Sequence, residues 1–281
     1  GFDNVLQSAI DLAEQGLPVD WFTNLQISLT AAELSKFKAS SDVYLPSGFP
    51  PQPEQVLDLG NLKKTLRSLS ENGPDEFYRG NIANELVADL NEGGSCITLE
   101  DLHNYIPLES EPLRGRHRGH DLYTPGVTSG GQRLNDALEY VEKNLNHRDP
   151  LGANTYISYA KALNKAFKSH KEKLGRTINH GCTSHMSAVD SEGNMVALTY
   201  TLLNRFGSKV VLPRTGILMN NSVSYFDPRP GYPTSMAGGK RINSSNMCPT
   251  VCVKDGEAKF SVGASGANHI VPCTMQLTCL L

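Results

Sequence analysis

The stretch "HGCTSHMSAVDSEGNMVALTYT", His180 to Thr201, decides how the rest of the chain is read. Two β-prone runs, Ser184 to Val189 and Met195 to Leu202, flank Asp190-Ser-Glu-Gly-Asn194, whose Gly and Asn fit a hairpin turn. The first run opens on Thr183-Ser184 directly after Gly181-Cys182, and the return run closes on Thr199-Tyr200-Thr201. A hydroxyl is a poor nucleophile until a base takes its proton. Cutting the Cys182–Thr183 bond would leave Thr183 with both its hydroxyl and a free α-amine of pKa about 7.7–8.0. One residue would then supply nucleophile and base in fixed proximity. The same hydroxyl could make the cut by attacking the Cys182 carbonyl, if the loop is held strained. Taken alone this fits any Thr after a loop, and most such residues are strand-edge groups that bond locally.

Outward from that hairpin the character of the chain changes. Upstream the pattern is mainly helical and broken by Gly and Pro. Helices are expected over Asp3 to Glu14, stopping at Gly16, over the leucine-spaced Asn61 to Leu69, and over Asp75 to Asn91, closed by Gly93-Gly94. Thr98-Leu-Glu-Asp101 reads as a capping box with Asp in place of Glu. Arg114 to Tyr123 reads as one basic strand, followed by a Gly-rich loop to Gly131, a helix to about Asn144 and a long helix from Thr155 to Leu174. Downstream, Thr250 to Lys254 and Ala258 to Val262 form a second hairpin around Asp255-Gly256, and Gly263-Ala-Ser-Gly-Ala-Asn268 leads into an apolar helical tail. The compositional seam divides a mainly helical region, 1–182, from a β-rich region, 183–281, that begins with Thr183.

The 281 residues are enough for one large domain or two modest ones. Hydrophobic residues at 39%, charged residues at 20% and a net charge of -3 describe a soluble globular chain with no nucleic-acid signature. The densest basic stretch, Lys161 to Arg176, reads as a solvated helix face, because Glu172 interrupts it and no aromatic platform accompanies it. No apolar run is long enough to cross a bilayer and no signal peptide is visible, but the chain starts at Gly1 rather than Met, so the compartment stays open. Six cysteines follow no disulfide-framework spacing and read as free buried thiols. A zinc reading of His180, Cys182 and His185 is remote, since no second Cys/His cluster stands at ligand spacing.

The ordered set Thr183-Ser-His-Met-Ser-Ala-Val-Asp190, Gly193-Asn194 and Thr199-Tyr-Thr201 resembles the start of the small subunit of γ-glutamyltranspeptidases. The likeness continues through Gly216-Ile-Leu-Met-Asn-Asn221, Lys240-Arg241, Ser245-Asn-Met-Cys-Pro-Thr250 and Gly263-Ala-Ser-Gly266. Upstream, Pro51-Gln-Pro53, Phe77-Tyr-Arg-Gly80, Thr98-Leu-Glu-Asp-Leu102, Tyr105, Glu111-Pro-Leu-Arg-Gly115 and Ser129-Gly-Gly131 match the large subunit in the same order. The resemblance implies an α+β fold, the four-layer αββα sandwich of the N-terminal nucleophile hydrolases, here incomplete at both ends. It implies a precursor that cleaves itself before Thr183, a large/small subunit heterodimer as the product with any higher oligomer left open, and no cofactor and no metal. The activity it implies is γ-glutamyltransferase-like cleavage of a γ-glutamyl or related small acyl amide through an acyl-Thr183 ester. Thr183 would be the nucleophile and Thr201 its hydrogen-bonding tuner. Gly266 and Ala267 would supply the oxyanion-hole amides, as a small-residue turn entering a helix can. Ser245 and Asn246, with Ser244 as a one-residue alternative, would hold the acyl group's α-carboxylate.

Two departures bear on substrate. Where the family binds an α-ammonium with Gln and Asp, this chain has Ser222 and Tyr225, and neither offers a carboxylate; Asp227 lies two places late, before Pro228, and fits a turn. The chain also begins part-way through the family's large subunit, so the arginine that clamps the carboxylate there has no counterpart in a matching motif. The competing reading is a non-catalytic relative, or a fragment, that binds or supports on the same scaffold.

Overall fold

The computed structural model describes residues 1–126, 129–145, 149, 151–175, 181–241 and 245–281. The chain divides into two compact units, one made of 1–108 with 205–220 and the other of 109–204 with 221–281.

The first unit is helical: α1 (Phe2–Gln15), α2 (Trp21–Ser28), α3 (Ala31–Leu34), α4 (Lys38–Tyr44), α5 (Leu62–Asn72), α6 (Asp75–Arg79), α7 (Asn81–Glu92) and α8 (Leu99–His103), with a two-residue strand pair β1 (Leu17–Pro18) and β2 (Val56–Leu57). The single helix expected over Asp75 to Asn91 is split at Gly80, where a side chain would collide with Glu76. Thr98 opens α8 with the expected capping box, the Thr98 hydroxyl and Asp101 carboxylate each taking the other's backbone N–H. The segment 205–220 returns to this unit and is held there. Ser40 donates to the Lys209 carbonyl at 2.6 Å, Thr65 to the Thr215 carbonyl at 2.7 Å, and Arg214 pairs with Asp89 and Glu92.

The second unit carries the β3 (Leu113–His117) and β4 (His120–Thr124) strands, helices α9 (Gly131–Asn144) and α10 (Ala153–Leu174), strands β5 (Cys182–Val189), β6 (Met195–Leu203), β7 (Thr250–Lys254) and β8 (Glu257–Val262), and helix α11 (Ile270–Leu280). The basic run read as one strand is therefore a hairpin. Arg118 and Gly119 both take positive φ, 48° and 78°, which is the turn geometry that matches the twist of paired strands. An antiparallel sheet runs in the order β3-β4-β7-β8, and β5 pairs with β6 as a separate two-stranded sheet. Helices α9, α10 and α11 bury Leu134, Leu138, Val141, Tyr159, Ala162, Ile270 and Met275 against Leu122 of β4 and Cys252 of β7. On the opposite side β8 meets the β5–β6 hairpin: Ser187 Oγ donates to the Ser261 carbonyl and Ser261 Oγ to the Val196 carbonyl, both at 3.3 Å. Helix, sheet and sheet are thus three successive layers of an α+β sandwich. The outward face of the β5–β6 hairpin, with Met186, Val196, Leu198, Tyr200 and Leu202, is exposed. All six cysteines are free, but only Cys248, Cys252 and Cys279 are buried; Cys96 in a loop, Cys182 at the start of β5 and Cys273 on the surface of α11 are exposed.

Candidate active site

Residues 183, 185 and 187 of β5, and 197, 199 and 201 of β6, share the inward face of the hairpin, since side chains alternate along a strand. The ladder breaks where the chemistry was expected. Cys182 pairs with Leu203 and Ser184 with Tyr200, so Thr183 alone opposes Thr201 and Leu202. Such a bulge bends the strand and re-aims side chains. Leu203, directly across from Cys182, pays for it with φ of 75°, a left-handed conformation that is costly for a branched side chain. The backbone outlier thus lies on the partner strand rather than at the Cys182–Thr183 bond itself.

Thr201 is the junction of this bulge. Its hydroxyl donates to the Cys182 carbonyl, while it accepts from the Leu203 N–H at 2.8 Å and from the Thr183 hydroxyl at 3.4 Å. A hydroxyl has one proton and two lone pairs, so all of its capacity is used. The proton of Thr183 faces Thr201, and the carbonyl carrying the bond before Thr183 is polarised by the same Thr201.

The turn Gly263 to Gly266 lies against this strand. A side chain at Gly263 would collide with the His185 ring, and a methyl built on Gly181 would stand 3.5 Å from the Cβ of Ala267. Gly266 and Ala267 both adopt positive φ, 102° and 52°, at the entry to a short 3-10 turn that runs into α11. Neither of their N–H groups has an acceptor among the described residues, although the Gly266 carbonyl accepts from His269. Two unused amides at the positive end of a helix are a site for developing negative charge.

Asn246 is joined to the 3-10 turn that follows Gly266 through its side chain. Asn246 is buried; its amide nitrogen donates to Asn268 Oδ1 at 2.9 Å and its oxygen accepts from Arg133 Nη1 at 2.6 Å. Arg133 Nη2 also donates to the Ser245 carbonyl. Ser244 and His180 lie outside the described residues. Ser222 and Tyr225 bound a 3-10 turn tied back to the end of β6: the preceding Asn221 donates its N–H to the Leu202 carbonyl at 3.1 Å, and its side-chain oxygen accepts from the Asn204 N–H at 3.0 Å. The Tyr225 side chain is buried, and burial raises its phenol pKa. The buried Asp227 is clamped by Arg229, with its carboxylate at 3.0 Å from Nε and 2.7 Å from Nη2, in the turn role its place before Pro228 foretold.

Sequence reasoning passed over two contributors. His185, considered only as a metal ligand, sits on the Thr183 face with Nδ1 2.8 Å from Thr199 Oγ1 and Nε2 3.1 Å from Ser187 Oγ. Burial lowers its pKa and so favours the neutral ring, whose two nitrogens engage Thr199 and Ser187. Its two-residue spacing from Thr183 was the available signal. Arg133 had none, because its partners lie more than a hundred residues away.

The sequence model of the family described as gamma-glutamyltranspeptidase matches residues 1–177 and 155–280. The chain is 31% identical to the glutathione hydrolase proenzyme of Escherichia coli, across 98% of this chain and 57% of that protein. It is 29% identical to the acylase ACY 1 proenzyme of a Pseudomonas strain, across 97% of this chain and 56% of that protein. A cephalosporin acylase from Bacillus halodurans has the same fold, with a TM-score of 0.86 at 23% identity over 99% of this chain and 58% of that one. The chain therefore spans little more than half the length of the relatives it matches.

Proposed function

The chain belongs to the gamma-glutamyltranspeptidase family of N-terminal nucleophile hydrolases, and from that membership we propose that it is an amidohydrolase or acyltransferase that first cuts itself before Thr183. The observation that carries the proposal is the Thr201 hydroxyl, bonded at once to the Cys182 carbonyl and to the Thr183 hydroxyl. In the cut, Thr183 Oγ1 attacks the Cys182 carbonyl carbon while Thr201 stabilises the oxygen. The C–N bond breaks, its nitrogen takes the hydroxyl proton, and water hydrolyses the resulting ester. Cys182 then ends in a carboxylate and Thr183 begins a new chain, so that the two pieces form a large/small subunit heterodimer.

The freed amine serves as base for its own hydroxyl. Attack on an acyl amide places the oxyanion within the charge field of the Gly266 and Ala267 N–H groups, the amine product leaves with the proton, and water or an acceptor amine resolves the acyl-Thr183 ester. Asn246, by its bond to Asn268 beside the same turn, supports the reading of Ser245 and Asn246 as a carboxylate subsite. Ser222 and the buried Tyr225 present no carboxylate to an ammonium, and Asp227 is held by Arg229. A γ-glutamyl amide is the default substrate, and a small acyl amide without the α-amino group is close behind. The relatives, a glutathione hydrolase and an acylase, span both choices.

Intact-mass measurement of the purified protein tests the first step. Two chains separated between Cys182 and Thr183 are expected in the parent and one uncut chain in Thr183→Ala; a parent that stays whole under every catalytic condition defeats the proposal. The second reading, a non-catalytic relative, is favoured by Ser222 and Tyr225, which offer no carboxylate where the family binds an ammonium. It predicts that Thr183→Ala matches the parent in processing, ligand binding and hydrolysis.

A further inference from the structure

Arg133 is 1% exposed, yet among the described residues it has no carboxylate partner. Its Nη1 and Nη2 are spent on Asn246 Oδ1 and the Ser245 carbonyl, its Nε has no acceptor, and its flat face lies 5.2 Å from the centre of the Phe167 ring. A buried cation without a counter-charge is expensive, and is ordinarily paired or neutralised. Here its neighbours do not neutralise it. Burial holds Cys248 as a thiol, its pKa pushed up to about 11, and burial together with the Arg133 charge holds His170 neutral, its pKa pushed down to about 4.

The backbone adds to the same field. Arg133 lies in the first turn of α9, whose positive end faces the Ser245–Asn246 loop: the Gly130 N–H donates to the Met247 carbonyl at 2.8 Å, and a side chain at Gly130 would collide with the Asn246 carbonyl. Asn246 in turn bonds Asn268, one residue beyond the Ala267 amide. One uncompensated charge is thus fastened to both the loop and the oxyanion turn.

We propose that Arg133 is a specificity-determining positioning residue, whose buried guanidinium fixes the Ser245–Asn246 loop and biases the site toward an acyl group bearing a carboxylate over an uncharged one of equal length. This rests on the reading of Ser245 and Asn246 as the acyl subsite. It deepens that reading by naming the substrate class as a dicarboxylic monoamide, for which no ammonium contact is needed.

The test compares glutaryl-p-nitroanilide with pentanoyl-p-nitroanilide, two acyl chains of the same length, on the parent, Arg133→Met and Arg133→Lys, each with its thermal midpoint recorded. Arg133→Met is expected to raise KM for the glutaryl compound roughly ten- to hundredfold, on the scale of a charged hydrogen bond. Its kcat should stay within about threefold, as should kcat/KM for the pentanoyl compound. Arg133→Lys, which keeps the charge, should recover much of the discrimination. An equal loss on both substrates, or an unchanged glutaryl-to-pentanoyl ratio, overturns the proposal. A second arm separates it from the catalytic reading: calorimetric binding of glutarate and pentanoate to the uncut Thr183→Ala protein, with and without Arg133→Met. Should the parent cleave neither anilide, the catalytic reading fails and binding alone decides. Selective loss of glutarate affinity in Arg133→Met upholds the inference, and absent or Arg133-independent glutarate binding overturns it.

Discussion

The β7–β8 hairpin belongs to a four-stranded sheet with α9 and α11 packed on it, and its buried Thr250, Cys252 and Val262 face that helical layer. Among the described residues the β5–β6 hairpin pairs with no other strand, and it has one face against β8 and the other exposed. Both fold about a short turn that contains a glycine, Gly193 or Gly256, and both carry a register shift. An isolated pair of strands is marginal, whereas a sheet sealed by helices is not. The covered hairpin therefore contributes stability, and the open one accommodates a bulge, a left-handed Leu203 and a hydroxyl aimed at a backbone carbonyl. Residues with reactive geometry stand on the element with the least packing to lose.

Substitutions on the two sides should separate these roles. Leu122→Ala, opposite Cys252 in register and 1% exposed, should lower unfolding free energy by about 3 kcal/mol in denaturant titration, the cost of a large core truncation. A loss below about 1 kcal/mol would mean that the helix-backed sheet is not the stability core. Thr201→Val, on the open hairpin, should slow self-cleavage by roughly ten- to hundredfold as it removes the hydroxyl from the Cys182 carbonyl, while shifting stability little. Unchanged cleavage kinetics, followed by gel or mass, would detach the bulge from the chemistry.

His170, on α10 behind the covered sheet, gives that side a pH signature. Burial and Arg133 depress its folded pKa to about 4 from an ordinary 6.5, so the unfolded chain binds its proton first as pH falls. Its contribution is complete above about pH 6.5 and is lost between there and about pH 4. On the linkage scale that is about 3 kcal/mol, and His170→Gln should flatten the stability profile in this window. A profile of the same slope in the variant would remove His170 from the account. The smallest effect belongs to the exposed face: Leu198→Ala, at a position 45% exposed, should change stability by less than about 0.5 kcal/mol. A large loss would show that this face is covered in solution and that the contrast between the hairpins is less than drawn here.

Much of the fold was legible because its signals are local. The Thr98–Asp101 capping box, the turn at Asp190 to Asn194 and the long α10 helix each depend on a few adjacent residues, and each forms as its pattern requires. Local signals also misled. The basic run Arg114 to Tyr123 hid a turn at Arg118-Gly119, because an Arg at positive φ leaves no mark in a propensity pattern. Gly80 split a helix whose periodicity read straight through it. At the site, the meeting of Thr183 and Thr201 was an expectation of the family resemblance rather than of a local pattern. The bulge that turns Thr201 toward Cys182 had no local signal, since register depends on which strands pair and how they bend.

From its letters alone the chain declared an amino acid poised at a seam, a partner hydroxyl across a hairpin and a glycine turn entering a helix, since each is written within a few neighbouring residues. Folding decided which carbonyl Thr201 would polarise, that Ala267 would stand beside Gly181, and that Arg133 would be buried behind a loop 112 residues further on. Those relations are set by packing across the chain, where burial and register act on residues that no local pattern connects.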